Sequence, residues 1–184
     1  MGGERPYTKT ELAQIERDQH DPAFLEWLAR MDTELALFFE RDVPDFPCDP
    51  WTEDGLRHAE QAALRYQQAR LEGDLSWRRE REPRFARYLG EVFVRNFEGR
   101  WKYVDVANKG VKSPVVLVAG NPEYFRVAGQ VQNAVIERTG AVWAWLFERS
   151  REDYEDWVAS GRLGYDEWLN YRVERTRRRL GGRS

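Results

Sequence analysis

Glu91 is the carboxylate with the most suggestive neighbours. It sits in the run FARYLGEVFVRNFEGRWKYVDV, Phe85 to Val106, after Gly90, with Arg87 and Arg95 four residues to either side and Trp101 and Tyr103 further on. In a cleft beside those aromatics its pKa would rise, and general acid or base work would follow, as in a hydrolase or transferase with Tyr103 and His58 as further site residues. The competing reading is a surface ladder of i,i+4 ion pairs, worth a few tenths of a kcal/mol each. No second carboxylate is placed to divide the acid and base roles, which favours the ladder.

Cys48, Asp49, Glu53 and His58 are the other compact set. Thiolate, carboxylate and imidazole can meet around zinc, and a Cys–His pair can act as nucleophile and base. Too few ligands lie nearby and no third group orients the histidine, so the expectation is a thiol buried in a loop and a half-exposed histidine. No metal and no cofactor are expected. The Walker loop, the dinucleotide fingerprint, the serine elbow and the paired-histidine zinc helix are all missing.

Two further stretches suit binding. The loop VPDFPCDPW, Val43 to Trp51, carries Phe46 and Trp51 among Asp45 and Asp49, a combination fit to dock a basic protein. The end of the chain, YRVERTRRRLGGRS, carries six arginines, among them Arg175, Arg178 and Arg179. These can neutralise phosphates, but the acidic pI of about 5.6 and the lack of a reading motif argue against nucleic acid as the main ligand. Residues 1–60 hold fifteen acidic and six basic residues, a local charge of −9, so the basic end is expected to pair with the acidic beginning. The run Glu152, Asp153, Glu155, Asp156 reads as the wet face of a helix whose other face holds Tyr154, Trp157 and Val158.

The elements that must position these residues follow from periodicity. Phe85, Tyr88, Leu89, Val92, Phe93 and Phe97 form one helical stripe, with Pro83 in the first turn and Gly99 as the stop. Gly90 within it predicts close approach by another element. Trp101 to Val106 and Val115 to Ala119 then read as an antiparallel ribbon. Upstream, Thr10 caps a helix over Glu11 to Arg17 with Leu12 and Ile15 inward, Asp21-Pro22 starts one running to about Arg41, and Thr52 starts another that ends at Gly73. Trp77 anchors a charged connection. Downstream, Glu123 to Arg149 is expected to be helical throughout, although Thr139-Gly140 offers a division. Ser150 caps a short helix ending at Gly161, and Tyr165 to Leu180 forms the last one, with Trp168, Leu169, Tyr171 and Val173 on its apolar side.

The resulting expectation is an α+β chain: a mostly helical single globular domain over 8–180 with a small antiparallel β-ribbon after a central helix. Residues 8–73 form a candidate helical subdomain, and 1–7 and 181–184 are flexible ends. Of 184 residues, 14% are aromatic, 33% are charged and one is cysteine, which suits a reducing cytoplasm. No signal peptide or membrane-length apolar run is present. Nothing specifies an oligomeric state.

The segment YLGEVFVRNFEGRW, Tyr88 to Trp101, resembles one in small bacterial proteins of actinobacterial type, some of them immunity-like or accessory factors near secreted toxins. Tyr88, Leu89, Gly90, Glu91, Gly99 and Trp101 carry the likeness, with Pro114 following. It implies a bacterial cytoplasmic protein with a partner-binding role and assigns no catalytic residue. The leading expectation is therefore a non-enzymatic protein-binding factor. The alternatives are an enzyme with its site near Glu91 and weak nucleic-acid binding through the terminal arginines.

Overall fold

A helix whose apolar residues recur every three or four positions over four turns must be covered on most of its circumference. In the computed structural model, which describes residues 8–71, 77–105, 110–121 and 123–181, that helix is α5. In chain order the elements are α1 (Lys9–Asp18), α2 (Pro22–Ala29), α3 (Met31–Leu37), a π-helical turn (Phe38–Asp42), α4 (Glu53–Leu71), a second π-helical turn (Trp77–Arg81), α5 (Glu82–Asn96), β1 (Arg100–Val104), β2 (Ser113–Leu117), α6 (Val127–Glu137), α7 (Val142–Ala159) and α8 (Tyr165–Gly181). The chain is a mostly helical single domain with a two-stranded antiparallel ribbon after its central helix.

Phe85, Tyr88, Leu89, Val92 and Phe93 of α5 are fully buried, and α3, α4, α6 and the ribbon pack around them. One core cluster runs from Leu35 and Phe38 through Leu56, Ala59 and Ala63 to Trp143 and Phe147, so helices from both halves of the chain share it. Aromatic rings do much of the filling: Phe38 stacks on Tyr88 with centroids 4.4 Å apart, and Phe93 stacks on Phe125 at 4.2 Å. Each such pair adds about 1 kcal/mol beyond the area it buries. Trp77 anchors the second π-helical turn, 3% exposed.

The ribbon pairs Trp101 with Val116 and Tyr103 with Pro114. The backbone groups of Tyr103 and Val116 point away from the partner strand and find other partners. On the β1 side the Gln19 side-chain amide accepts from the Tyr103 amide at 3.1 Å and donates to the Tyr103 carbonyl at 3.1 Å. On the β2 side Val116 exchanges backbone hydrogen bonds with Phe125 at 2.7 and 3.0 Å. Lys112 crosses to Asp18 of α1 at 2.7 Å. Burial alone would raise the Asp18 pKa, but hydrogen bonds from Lys112 and Gln14 outweigh it and hold the carboxyl below its ordinary 3.8. A depressed acid contributes stability that is present above the unfolded value and lost as pH falls through the folded one. Lys112→Ala is accordingly expected to move the acid-unfolding midpoint to higher pH, measured by circular dichroism, while leaving the neutral-pH spectrum unchanged.

Several elements depart from the sequence expectation. Thr8, not Thr10, caps α1, through a reciprocal box with Glu11, and Leu12 stays 54% exposed instead of facing inward. The helix expected over Ala23 to Arg41 divides at Arg30 and ends in a π-helical turn. The stretch Glu123 to Arg149 is two helices, separated where Arg138 and Gly140 adopt left-handed φ of 55° and 69°. Ser150 starts nothing, because α7 runs through it to Ala159. Among the described side chains of α8 only Trp168 is buried; Tyr171 and Val173 are 39% and 49% exposed. The ends 1–7 and 182–184, Gly73 and Val106 lie outside the described residues.

Candidate functional site

Glu91 projects from α5 toward the ribbon. Its Oε1 accepts from the Trp101 indole at 2.7 Å, and its Oε2 lies 3.5 Å from the Arg95 guanidinium. The carboxylate is 14% exposed. Trp101 lies across the helix at Gly90, where a Cβ would stand 2.0 Å from the ring, which is why position 90 has no side chain. One oxygen thus holds the Trp101 indole and the other faces Arg95, an arrangement that fixes the tryptophan against α5. The expected second ladder rung, Arg87, is absent: that residue is 5% exposed and turns toward Trp27.

Tyr103 stacks on Phe24, centroids 5.2 Å apart and nearly parallel. His58, half-buried, packs its ring against Phe46 at 5.1 Å. Cys48 is a half-buried free thiol. Among the described residues no three His, Cys, Asp or Glu groups gather to hold a metal ion.

The aromatic loop is tied to α5 along its length. The Tyr88 hydroxyl, its pKa pushed up by burial, donates to the Pro50 carbonyl at 2.6 Å, and Asn96 donates to the Trp51 carbonyl at 2.9 Å. Arg95 covers the Trp51 ring at 3.8 Å, and Phe46 packs against Phe38, Phe39 and Tyr88. Phe46 and Trp51 are therefore half-buried, packed against the protein's own core and partly exposed. Asp49 accepts from the Trp51 amide at 2.9 Å and shapes the turn, whereas Asp45 is exposed and makes no ion pair among the described residues.

Among the described residues the ion pairs seen at the basic end run to α7 and not to the acidic beginning. Arg172 and Arg175 of α8 pair with Asp153 and Asp156 of α7, lining a cleft of about 420 Å³ between the two helices with Glu152, Glu155 and Trp168. The acidic run is indeed a wet helix face, and α8 lies along it. The side chains of Arg178 and Arg179 lie outside the described residues.

Two polar groups that sequence reasoning passed over are the most deeply buried. Glu60 of α4 is fully buried, and its two oxygens accept from the Val142 and Trp143 amides at 3.1 and 2.7 Å, capping α7 from a neighbouring helix. Its only sequence signal is a carboxylate one residue past the buried Ala59. Asp42, 3% exposed, takes a bidentate contact from Arg84 at 2.5 and 3.1 Å and lies 3.4 Å from Arg81. Beside it opens a cleft of about 270 Å³ lined by Arg30, Glu34, Arg79, Glu80, Pro83, Arg84 and Arg87. Both π-helical turns border this region.

Compared with protein-family models, curated proteins and solved structures, the chain matches none. Among the described residues no helix is long and apolar enough to cross a membrane.

Proposed function

We propose that the chain is a non-enzymatic protein-binding factor that offers an acidic face to a basic partner. The observation that carries this reading lies along residues 40–54. Glu40, Asp45 and Asp54 are exposed and make no ion pair among the described residues, Asp49 is exposed as well, and Arg41 is the one cation in that stretch of sequence. Arg172 and Arg175, which would neutralise this acidity if they reached it, are engaged by α7 instead. Carboxylates carried on a helical turn, on a loop tied down at Pro50 and Trp51 and on the first turn of α4 lose little entropy on binding, and their field accelerates encounter with a positive surface. The likeness of Tyr88 to Trp101 to immunity-like and accessory factors of bacteria, and a cytoplasmic setting, are one form of this reading.

The test is affinity capture at low salt with the native chain and with a Glu40→Lys/Asp45→Lys/Asp54→Lys variant, since exposed charges can be reversed without unfolding the core. A stoichiometric basic protein is expected with the native chain, bound at least about tenfold more weakly by the variant and released by salt. Recovery of the same proteins by both chains, with unchanged circular dichroism, would overturn the reading.

A further inference from the structure

Arg87 is a buried cation without a matching anion. It is 5% exposed, its Nε has no hydrogen-bond partner, and its one hydrogen bond is a long 3.4 Å contact from Nη2 to the Trp27 carbonyl. Its guanidinium lies over the Trp27 ring at 4.3 Å, a stacking that fixes the plane of the fork. Every carboxylate that could serve it is committed elsewhere or distant. Glu34, the one whose field reaches it most strongly, is bonded to Arg30 at 2.5 Å, and Asp42 is held by Arg84. Burial accordingly lowers the Arg87 pKa against the opposing field of Glu34. A native protein that leaves a guanidinium so placed is carrying an electrostatic cost that an incoming anion would relieve.

The cleft beside it matches that need. Its walls hold four arginines against two glutamates, and Arg79 is exposed and makes no ion pair among the described residues. Asp42 engages the Arg84 fork and holds that side chain as part of the wall, while Arg87 is fixed by its tryptophan with its Nε unpartnered, so one free fork is pre-oriented. Planar, pre-oriented guanidinium groups are the donors that bind tetrahedral oxyanions through paired hydrogen bonds. At about 270 Å³ the space exceeds what one inorganic anion fills and is too small for an extended chain.

We propose that this cleft binds the phosphate monoester of a small molecule, with Arg87 and Arg79 as the phosphate-binding residues and Arg84 as a positioning neighbour. The site is separate from the acidic stretch 40–54 and does not depend on that stretch's partner.

Isothermal titration calorimetry on the full chain, at constant ionic strength, tests it with glycerol 3-phosphate, inorganic phosphate and chloride as probes. The expected result is saturable binding of both phosphates with one site per chain, the ester at least as tight as the inorganic ion. Arg79→Gln and Arg87→Lys are each expected to weaken it by about tenfold. Arg79 is exposed, so its variant tests the site even where Arg87→Lys does not fold. Equal heats from chloride, inorganic phosphate binding without the ester, or an Arg79→Gln chain that binds as the native one does would each overturn the assignment.

Discussion

Replacing Glu60 with alanine is expected to destabilise the fold by about 3 kcal/mol, the largest loss from any single polar substitution in this chain. Two backbone amides at the start of α7 would be left buried without acceptors, each costing about 1–3 kcal/mol, and a cavity would be added where the side chain stood. Water cannot substitute easily, because Glu60 and Trp143 are both fully buried. Glu60→Gln keeps one acceptor oxygen and is expected to lose about 1 kcal/mol at neutral pH. The pH dependence separates the two roles of the group. Burial raises the Glu60 carboxyl above its ordinary 4.5, against the pull of the Trp143 and Val142 amides. An acid whose folded pKa is raised contributes most below the unfolded value, and that contribution is lost as pH rises through the folded one. The stability advantage of the native chain over Glu60→Gln should therefore narrow between pH 4.5 and neutrality. Urea denaturation of both chains across that window measures it. A constant difference would show that Glu60 acts only through hydrogen bonds.

The second large effect is at Gly90. Alanine there gains up to about 1 kcal/mol of intrinsic helix preference, yet the added methyl would stand 2.0 Å from the Trp101 ring. That ring is pinned by its hydrogen bond to Glu91 and by an edge contact with Trp27 at 4.7 Å, so it must leave its site or push α5 away. Gly90→Ala is expected to cost about 2 kcal/mol net, as overpacking does in well-filled cores. In a Trp101→Ala background the same substitution is expected to become neutral or stabilising, because only the propensity gain remains. Thermal denaturation of the four chains reads this change of sign. An additive result would mean that Trp101 is not what excludes a side chain at position 90.

The elements legible in the sequence were those written in local periodicity. The stripe from Phe85 to Phe97 and the β-branched run at Val115 each declare a period, and the structure places α5 and the ribbon within a few residues of where they are expected. Gly90 was also legible as a site of close approach, because an unforced glycine in mid-helix calls for a reason. What local pattern could not show are the polar pairings between distant residues: Glu60 with Val142, 82 positions apart, Arg84 with Asp42, 42 apart, and Lys112 with Asp18, 94 apart. A charged residue that will be buried looks the same in sequence as one that will face water. Arg87 illustrates it best: four residues before Glu91, it has the spacing of a surface ion pair, and tertiary packing gives it Trp27 instead. The break between α6 and α7 was visible at Thr139-Gly140, but nothing local revealed that α4 would supply the missing cap.

The Gln19 amide, docked on Tyr103 as a single rung of false strand, and Phe125, bridging to Val116, bear on how this protein can be approached. A two-stranded sheet ordinarily exposes a row of backbone donors and acceptors on each flank, an invitation to any extended peptide, including another copy of itself. Here the middle of each flank is already occupied by the chain's own groups. Strand addition along the ribbon has no uninterrupted template to follow, so edge-to-edge pairing of this sheet is disfavoured.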